Sequence, residues 1–223
     1  TLAGHAYLAV ANATDDITHL VDSKLFRWNG DRFVEHQALP TEGATDCEFF
    51  TIADNHYLAV ANAQDDTTTN VNSTIYKWTG TRFDPFQSIP THGAGDCESF
   101  IIDGQTFLAV ANTRDDQTQN IDSVIYRWNG MRFVELQAIA TRGAVDSEFF
   151  TVDSDAYLAI ANNHDDLTGE LDSELYKWDG VRFALFQSLP TYGVRDWESF
   201  TVEEVSYLVV ANADGEDNPD GYS

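Results

Sequence analysis

Apolar and polar residues alternate along this chain with a period of two, in short runs that turn-forming residues interrupt every eight to twelve positions. A strand sends successive side chains to opposite faces, so this spacing predicts short half-buried β-strands; an amphipathic helix would repeat every ~3.6 residues. No helix is expected. Tyr57 to Asn62, Ser73 to Trp78 and Arg82 to Ile89 read as three successive strands, and Glu98 to Ile102 opens the next set. Asn29-Gly30, Thr79-Gly80, Asn129-Gly130 and Asp179-Gly180 each separate a third strand from a fourth, and such pairs suit the positive φ values of a type I′ hairpin. Gly43, Gly93, Gly143 and Gly193 are placed to turn each fourth strand into the first strand of the next set.

The strands belong to an internal repeat. Residues 1–50, 51–100, 101–150 and 151–200 align without a gap, and a partial copy follows over 201–223. In the first copy Leu8, Ala9, Ala11, Asn12, Asp15, Asp16, Thr18, Ser23, Trp28, Gly30, Arg32, Phe33, Gln37, Thr41, Gly43, Asp46, Glu48 and Phe50 are identical in all four copies. Four strands in about 50 residues is the pattern of a β-propeller blade, since the coils of a β-helix are much shorter. The fold class expected is therefore all-β, a β-propeller of four-stranded antiparallel blades forming a single domain or a segment of one. If the innermost strand begins near Asp46, the chain holds three complete blades, an N-terminal fragment with strands two to four, and a C-terminal fragment with strands one and two. The surplus strand, Tyr207 to Ala211, is compatible with a piece of a longer array, an irregular five-bladed closure, or a homo-oligomer joined through open blade edges.

The string Tyr57-Leu58-Ala59-Val60-Ala61-Asn62, followed by Ser73-Thr74-Ile75-Tyr76-Lys77-Trp78-Thr79-Gly80, Phe83, Gln87-Ser88-Ile89-Pro90-Thr91 and Gly93-Ala94-Gly95-Asp96, resembles the epitempin repeat, also called the EPTP or EAR repeat. The resemblance recurs in four copies over nearly the whole chain. It implies a β-propeller in a secreted or cell-surface protein, used as an interaction module, as in the leucine-rich glioma-inactivated proteins that bind cell-surface receptors. The family propeller usually has seven repeats, against four and a half here, and its neuronal members lack the long acidic segment after Asn62 in this form.

Charge narrows the range of partners. The chain of 223 residues has 37 Asp plus Glu against 12 Lys plus Arg, a formal charge of −25. Every phosphate contact would work against that field, so no nucleic acid is expected as a partner. With 43% hydrophobic and 13% aromatic residues the chain has ample material for a core. No apolar run approaches the roughly 18 residues of a membrane span, so no membrane insertion is expected.

The acids fall at repeated positions. Asp46 and Glu48, Asp96 and Glu98, Asp146 and Glu148, and Asp196 and Glu198 form an Asp-x-Glu pair near the start of each first strand. A spacing of two puts both carboxylates on one side of a strand, and rotational repetition brings the pairs around a central channel. Crowded carboxylates repel, and Ca²⁺, with about six to eight oxygen ligands in loose geometry, would relieve them. The resemblance points the same way, since family propellers hold a channel Ca²⁺ on such residues. The plainer alternative is that these carboxylates accept backbone N–H groups at the tight turn after Gly43 and its equivalents.

A second set lies in the loop between strands two and three. It comprises Asn12, Asp15, Asp16 and Asp22 in the first copy, and Asn62, Asp65 and Asp66 in the second. The third contributes Asn112, Asp115, Asp116 and Asp122, and the fourth Asn162, Asp165, Asp166 and Asp172. Such oxygen-rich loops could hold a peripheral Ca²⁺ or a cation-bridged glycan; equally, Asn, Asp and Ser make Asx turns that satisfy a loop's own backbone.

Cys47 and Cys97 occupy equivalent positions, so their side chains point in the same rotational sense, and free thiols are expected over a disulfide. The repeated Trp residues are expected to pack between blades, with exposed sugar-stacking platforms as the alternative. No enzyme is expected. Near-identical units give near-identical carboxylate environments, whereas glycoside hydrolysis needs two carboxyls of different pKa. The leading expectation is an extracellular, calcium-stabilised module that binds a cell-surface or matrix protein at one asymmetric site, for instance at Glu42, His92, Arg142 and Tyr192. The rival is a multivalent lectin with one glycan site per blade.

Overall fold

The computed structural model of the protein describes Leu2 and residues 4–213. Among them are seventeen strands and no helix. A three-stranded antiparallel sheet, β1 (Tyr7–Val10), β2 (Ser23–Trp28) and β3 (Phe33–Leu39), comes first. Three four-stranded sheets follow in simple up-and-down order. They are β4 (Ala44–Ile52) to β7 (Phe83–Pro90) through β5 (Asn55–Asn62) and β6 (Asn72–Trp78), then β8 (Ala94–Ile102) to β11 (Phe133–Ala140) through β9 (Gln105–Asn112) and β10 (Asp122–Trp128). The third is β12 (Ala144–Val152) to β15 (Phe183–Tyr192) through β13 (Asp155–Asn162) and β14 (Glu170–Trp178), and β16 (Val194–Val202) with β17 (Val205–Asn212) makes a final two-stranded sheet. This is the blade phase expected from the repeat: strands two to four, three complete meanders, then strands one and two. The chain divides into two compact units, Thr1–Cys97 and Glu98–Ser223, with the division inside β8.

Each unit has its own core. In the first, Leu25 and Leu39 of the opening sheet pack with Leu58, Val60, Tyr76 and Phe83 of the next. In the second, Phe100, Phe107 and Ile125 pack with Leu158, Ile160 and Phe183, and Trp197 and Val194 close a further cluster with Ala159, Ala161 and Leu175. Each fully buried side chain of this size contributes about 1.5–3 kcal/mol. A polar clamp repeats between neighbouring sheets. The Gln37 amide donates to the Phe83 carbonyl at 2.6 Å and accepts the Phe83 N–H at 2.9 Å, and Gln137 does the same to Phe183 at 2.8 and 2.9 Å.

Two turns differ from the expectation. Trp28 pairs with Phe33, so Asn29-Gly30 begins a four-residue loop and is not a two-residue type I′ hairpin. Positive φ is confined to the glycine, at +104° in Gly30, while the Asn29 carboxamide oxygen accepts the N–H groups of Asp31 and Arg32 at 3.0 and 2.9 Å. The Asx turn satisfies the backbone that a type I′ pair would have closed by itself. The tight hairpins lie between first and second strands, where Asp103-Gly104, Asp153-Ser154 and Glu203-Glu204 have positive φ at both residues. First strands also begin earlier than read from sequence, at Ala44, Ala94 and Ala144. The register slips between Ala44 and Asp46, leaving Thr45 as a bulge, and the alternation that signals a strand is lost there.

Gly43 and Gly143 are fixed by their surroundings. Both have left-handed φ, +58° and +55°, and a Cβ would lie 2.6 Å from the Gln64 carbonyl oxygen and 2.2 Å from that of His164. Only glycine fits where the fourth strand turns beneath the neighbouring loop.

Candidate functional site

Four of the Asp-x-Glu carboxylates, Asp46, Glu98, Asp146 and Glu148, reach the neighbouring first strand. In the first unit, Asp46 Oδ2 accepts the Cys97 N–H at 3.3 Å. In the second, Asp146 Oδ2 accepts the Trp197 N–H at 2.7 Å, Glu148 Oε1 the Ser199 N–H at 2.9 Å, and Glu98 Oε1 the Phe149 N–H at 3.3 Å. Each bond spans 51 residues, one repeat plus one position. Two acids on one strand face thus dock onto the outward N–H groups of the next first strand, a charge-assisted use of a strand edge. The plainer alternative placed backbone N–H partners at the tight turn after Gly43 and its equivalents, whereas Asp46, Glu98, Asp146 and Glu148 find them on the neighbouring first strand.

These bonds come with a cost. Burial raises the Asp46 carboxyl above its ordinary pKa, partly offset by the N–H groups of Cys47 and Cys97. Asp146 is pushed up to about 7, first by burial and then by the nearby charges of Asp196 and Glu148, against the lowering effect of the Trp197 N–H. Asp196 and Glu198, on the final sheet, are exposed; Glu48 and Asp96 are half-buried on β4 and β8. Among the described residues no three His, Cys, Asp or Glu side chains form a group that could hold a metal ion. Cys47 and Cys97 are free thiols, the first half-buried and the second buried. Burial pushes the Cys47 thiol up to about 12.

In the acidic loops the two aspartates bond in different directions. The first closes its own loop: Asp15, Asp65, Asp115 and Asp165 each accept, through Oδ1, the N–H groups two and three residues on, at 2.6–3.1 Å. The second crosses to the preceding repeat. Asp66 accepts the Thr18 hydroxyl at 2.6 Å and the His19 N–H at 2.7 Å; Asp166 accepts the Thr118 hydroxyl at 2.6 Å, the Gln119 N–H at 2.8 Å and the Asn120 amide at 3.0 Å. These donors hold both carboxyls below the usual carboxylate range. Asp16, at the same position of the first repeat, takes a positive φ of 71°.

The remaining members of this set are framework. Asn12, Asn62, Asn112 and Asn162 donate their amides to the carbonyls of Asp22, Asn72, Asp122 and Asp172 at 2.8–3.1 Å. It is the backbone of Asp22, Asp122 and Asp172 that takes part in this bond. The same asparagines fix the neighbouring turn, since Asn62 and Asn162 accept the N–H groups of Glu42 and Arg142 at 3.2 and 3.0 Å. Beneath it Ser23 and Thr41, and their three equivalent pairs, share a hydroxyl contact at 2.8–2.9 Å.

Each unit therefore presents repeated loop backbone that carries unrepeated side chains. At the position of Glu42 stand His92, Arg142 and Tyr192; at the loop tip stand Ile17, Thr67, Gln117 and Leu167. Ile17 and Leu167 are 89% and 91% exposed although their N–H groups are tied down by Asp15 and Asp165. Two of the repeated tryptophans pack between sheets, Trp78 edge-on to Tyr7 at 5.4 Å and Trp178 to Phe107 at 5.3 Å, each pair bridging neighbouring sheets of one unit, whereas Trp28 is exposed. Cations cover Tyr57 and Tyr157, through Lys77 and Lys177. The partial copy's loop, 212 to 217, falls almost wholly outside the described residues.

Comparison with known proteins adds a family and a fold. The EPTP domain profile matches residues 32–79, 82–129, 132–179 and 182–218. No curated protein matches the chain. Among solved structures, an exo-β-1,3-galactanase from Clostridium thermocellum is similar at a TM-score of 0.58 and 10% identity, over 94% of this chain and 52% of that one. The GH32 β-fructofuranosidase of Bombyx mori gives 0.57 and 9%, over 94% and 53%. An exo-β-1,3-galactanase from Phanerochaete chrysosporium gives 0.57 and 7%, over 85% and 48%. The chain spans about half the length of these proteins, and at such identity the likeness is one of fold.

Proposed function

Since the chain belongs to the EPTP domain family, a β-propeller fold of four-stranded antiparallel blades, we propose that it is a non-catalytic binding module, secreted or displayed at a cell surface, whose partner is a cell-surface or matrix protein. The observation that carries this reading is the division of labour at the rim. In each unit, residues identical in every copy make the hydrogen-bonded framework and side chains that differ between copies are offered on it, Ile17, Glu42 and His92 in the first and Arg142, Leu167 and Tyr192 in the second. A rigid backbone with dissimilar side chains suits an asymmetric protein epitope within one unit. A lectin with one sugar site per blade would repeat its contact residues. Asp46, Glu98, Asp146 and Glu148 are committed to backbone N–H groups, which supports a structural role for them over acid–base catalysis.

The test is a binding screen of the whole chain against cell-surface and matrix ectodomains in parallel with a glycan array. A protein hit lost in the Arg142→Glu variant supports the reading. Several equivalent glycan sites per chain would favour the lectin, and release of sugar from a glycoside panel would make it an enzyme.

Calcium at the Asp-x-Glu set is a second reading, favoured by the repulsion that Asp146 feels from Asp196 and Glu148. A Ca²⁺ near this set would neutralise that repulsion, although among the described residues no three carboxylates are grouped closely enough to hold the ion by themselves. The Asp146→Asn, Glu148→Gln double variant should then lose most of the chelator sensitivity of its melting temperature; an unchanged chelator response would remove calcium from the proposal.

A further inference from the structure

We infer that the Asn29-Gly30 and Asn129-Gly130 turns are sites of spontaneous modification, at which each carboxamide loses ammonia through a succinimide ring. The folded turn directs that ring to open to Asp, the residue that the fourth copy already carries at this position as Asp179. The inference does not depend on which partner the chain binds.

The reaction begins when the glycine backbone nitrogen gives up its proton and adds to Cγ of the asparagine before it. The new C–N bond closes a five-membered ring, the bond from Cγ to the amide nitrogen breaks, and that nitrogen leaves as ammonia with the proton. Water then adds to one of the two ring carbonyls and reopens the ring. The net change turns an amide and a water into a carboxylate and an ammonium ion, with no oxidant, reductant or enzyme required.

Both turns are arranged for ring closure. Among the described residues the Gly30 and Gly130 N–H groups have no hydrogen-bond partner, and neither do the two carboxamide nitrogens, so nucleophile and leaving group are unengaged. The charge that develops during addition falls on Oδ1, where the donors already are. Asn29 Oδ1 accepts the N–H groups of Asp31 and Arg32 at 3.0 and 2.9 Å, and Asn129 Oδ1 those of Met131 and Arg132 at 3.0 and 2.9 Å. Paired backbone donors aimed at a developing oxyanion lower the barrier. The ring also has room, because among the described residues nothing lies within 4 Å of where a Cβ on Gly30 or Gly130 would stand. Both turns are exposed to the water that the second step consumes.

The product has a counterpart in the same chain. Asp179 Oδ1 accepts the N–H groups of Val181 and Arg182, both at 2.9 Å, so a carboxylate makes the turn that the carboxamide makes. Its Oδ2 lies 3.8 Å from the Arg182 guanidinium, and the N–H groups of Arg182 and Val181 hold the carboxyl below the usual carboxylate range. Arg32 and Arg132 stand at the same repeat position as Arg182. Conversion to Asp therefore exchanges neutral hydrogen bonds for charge-assisted ones beside a cation. The other ring opening gives isoaspartate, whose main chain runs through the side-chain carbon. That adds a methylene to a loop whose ends are fixed by the Trp28–Phe33 and Trp128–Phe133 pairs, and it moves the acceptor away from two N–H groups. An unstructured peptide has no such constraint, and there isoaspartate is the major product.

The test is peptide mapping by mass spectrometry of the full chain aged at mildly alkaline pH, folded in buffer and unfolded in urea, with isoaspartate counted separately by enzymatic methylation. In the folded chain Asn29 and Asn129 should both convert, with Asp as the major product, whereas the chain in urea should give mostly isoaspartate. Asn29→Thr, which installs the residue type of Thr79 in the second copy, should confine conversion to Asn129. A chain carrying Asn29→Asp and Asn129→Asp should melt with the aged chain, at or above the temperature of fresh wild type. Asparagines that survive in the folded chain while converting in urea overturn the inference. So does isoaspartate as the major product in both, or a double variant that melts below fresh wild type.

Discussion

Replacing Asp146 by Asn should stabilise the protein above neutral pH. The carboxyl is pushed up to about 7 in the folded state by burial first and by Asp196 and Glu148 second, whereas an unfolded Asp titrates near ~3.9. Below both values the group is protonated in either state and adds no pH dependence. Between them the folded state binds the extra proton, so stability falls as pH rises, by about 1.4 kcal/mol per pH unit. Above pH 7 the loss is complete at about 4 kcal/mol. Asn keeps an acceptor for the Trp197 N–H at 2.7 Å but carries no charge; the folded value of about 7 already includes the lowering effect of that bond, and solvent screening at a carboxyl that is not fully buried trims the gain. The net at pH 8 is a stabilisation of about 2–3 kcal/mol, or roughly 5–10 °C in melting temperature for a chain of this size. At pH 4 the two proteins should melt together. Urea and thermal denaturation at pH 4, 6 and 8 in a calcium chelator give the comparison directly. A variant destabilised equally at all three values would refute burial as the dominant influence on Asp146.

Other consequences follow from the turns and latches. Gly143→Ala places a methyl group 2.2 Å from the His164 carbonyl oxygen at a φ of +55° and should cost about 2 kcal/mol or more, read as a lowered urea midpoint. Asp166→Asn weakens the bonds to Thr118 and the Gln119 N–H, so the Gln119 amide should exchange faster with solvent while amides in β13 keep their protection. Because the Asp166 carboxyl is held low, its contribution is present above the ordinary Asp pKa and fades as pH falls through the lowered value. Gln119 exchange in wild type should therefore approach that of the variant only in strong acid, once the intrinsic pH dependence of exchange is removed.

Much of the fold could be read from the repeat. Identity at Gly43, Trp28 and Phe50 in every copy reports one local structure made four times, and the strand phase follows once Gly43 is taken as the turn between sheets. The hairpin chemistry was less legible, because Asn-Gly serves an Asx-turned four-residue loop as readily as a type I′ pair, and only the Trp28–Phe33 register separates them. The acids were legible as two repeated sets and illegible as partners. Asp146 meets Trp197, and Asp66 meets Thr18, across about a whole repeat, a distance along the chain that no local pattern encodes. Thr18 and Gln37, identical in all four copies, were signals without an evident purpose in the sequence, and within the two units they and their equivalents turn out to join the first repeat to the second and the third to the fourth. Residues kept identical for the framework drew attention as candidate chemistry, alongside the varying positions Glu42, His92, Arg142 and Tyr192.

The most direct measurement is calorimetric titration of the chain with the ectodomain that the screen identifies, repeated with Arg142→Glu on the rim and with Asp166→Asn in the framework. One site per chain, abolished by Arg142→Glu and retained in Asp166→Asn, is the result expected if function lies with the unrepeated side chains. Several equivalent sites per chain, insensitive to Arg142→Glu and lost with Asp166→Asn, would place binding in the repeated acids and contradict it.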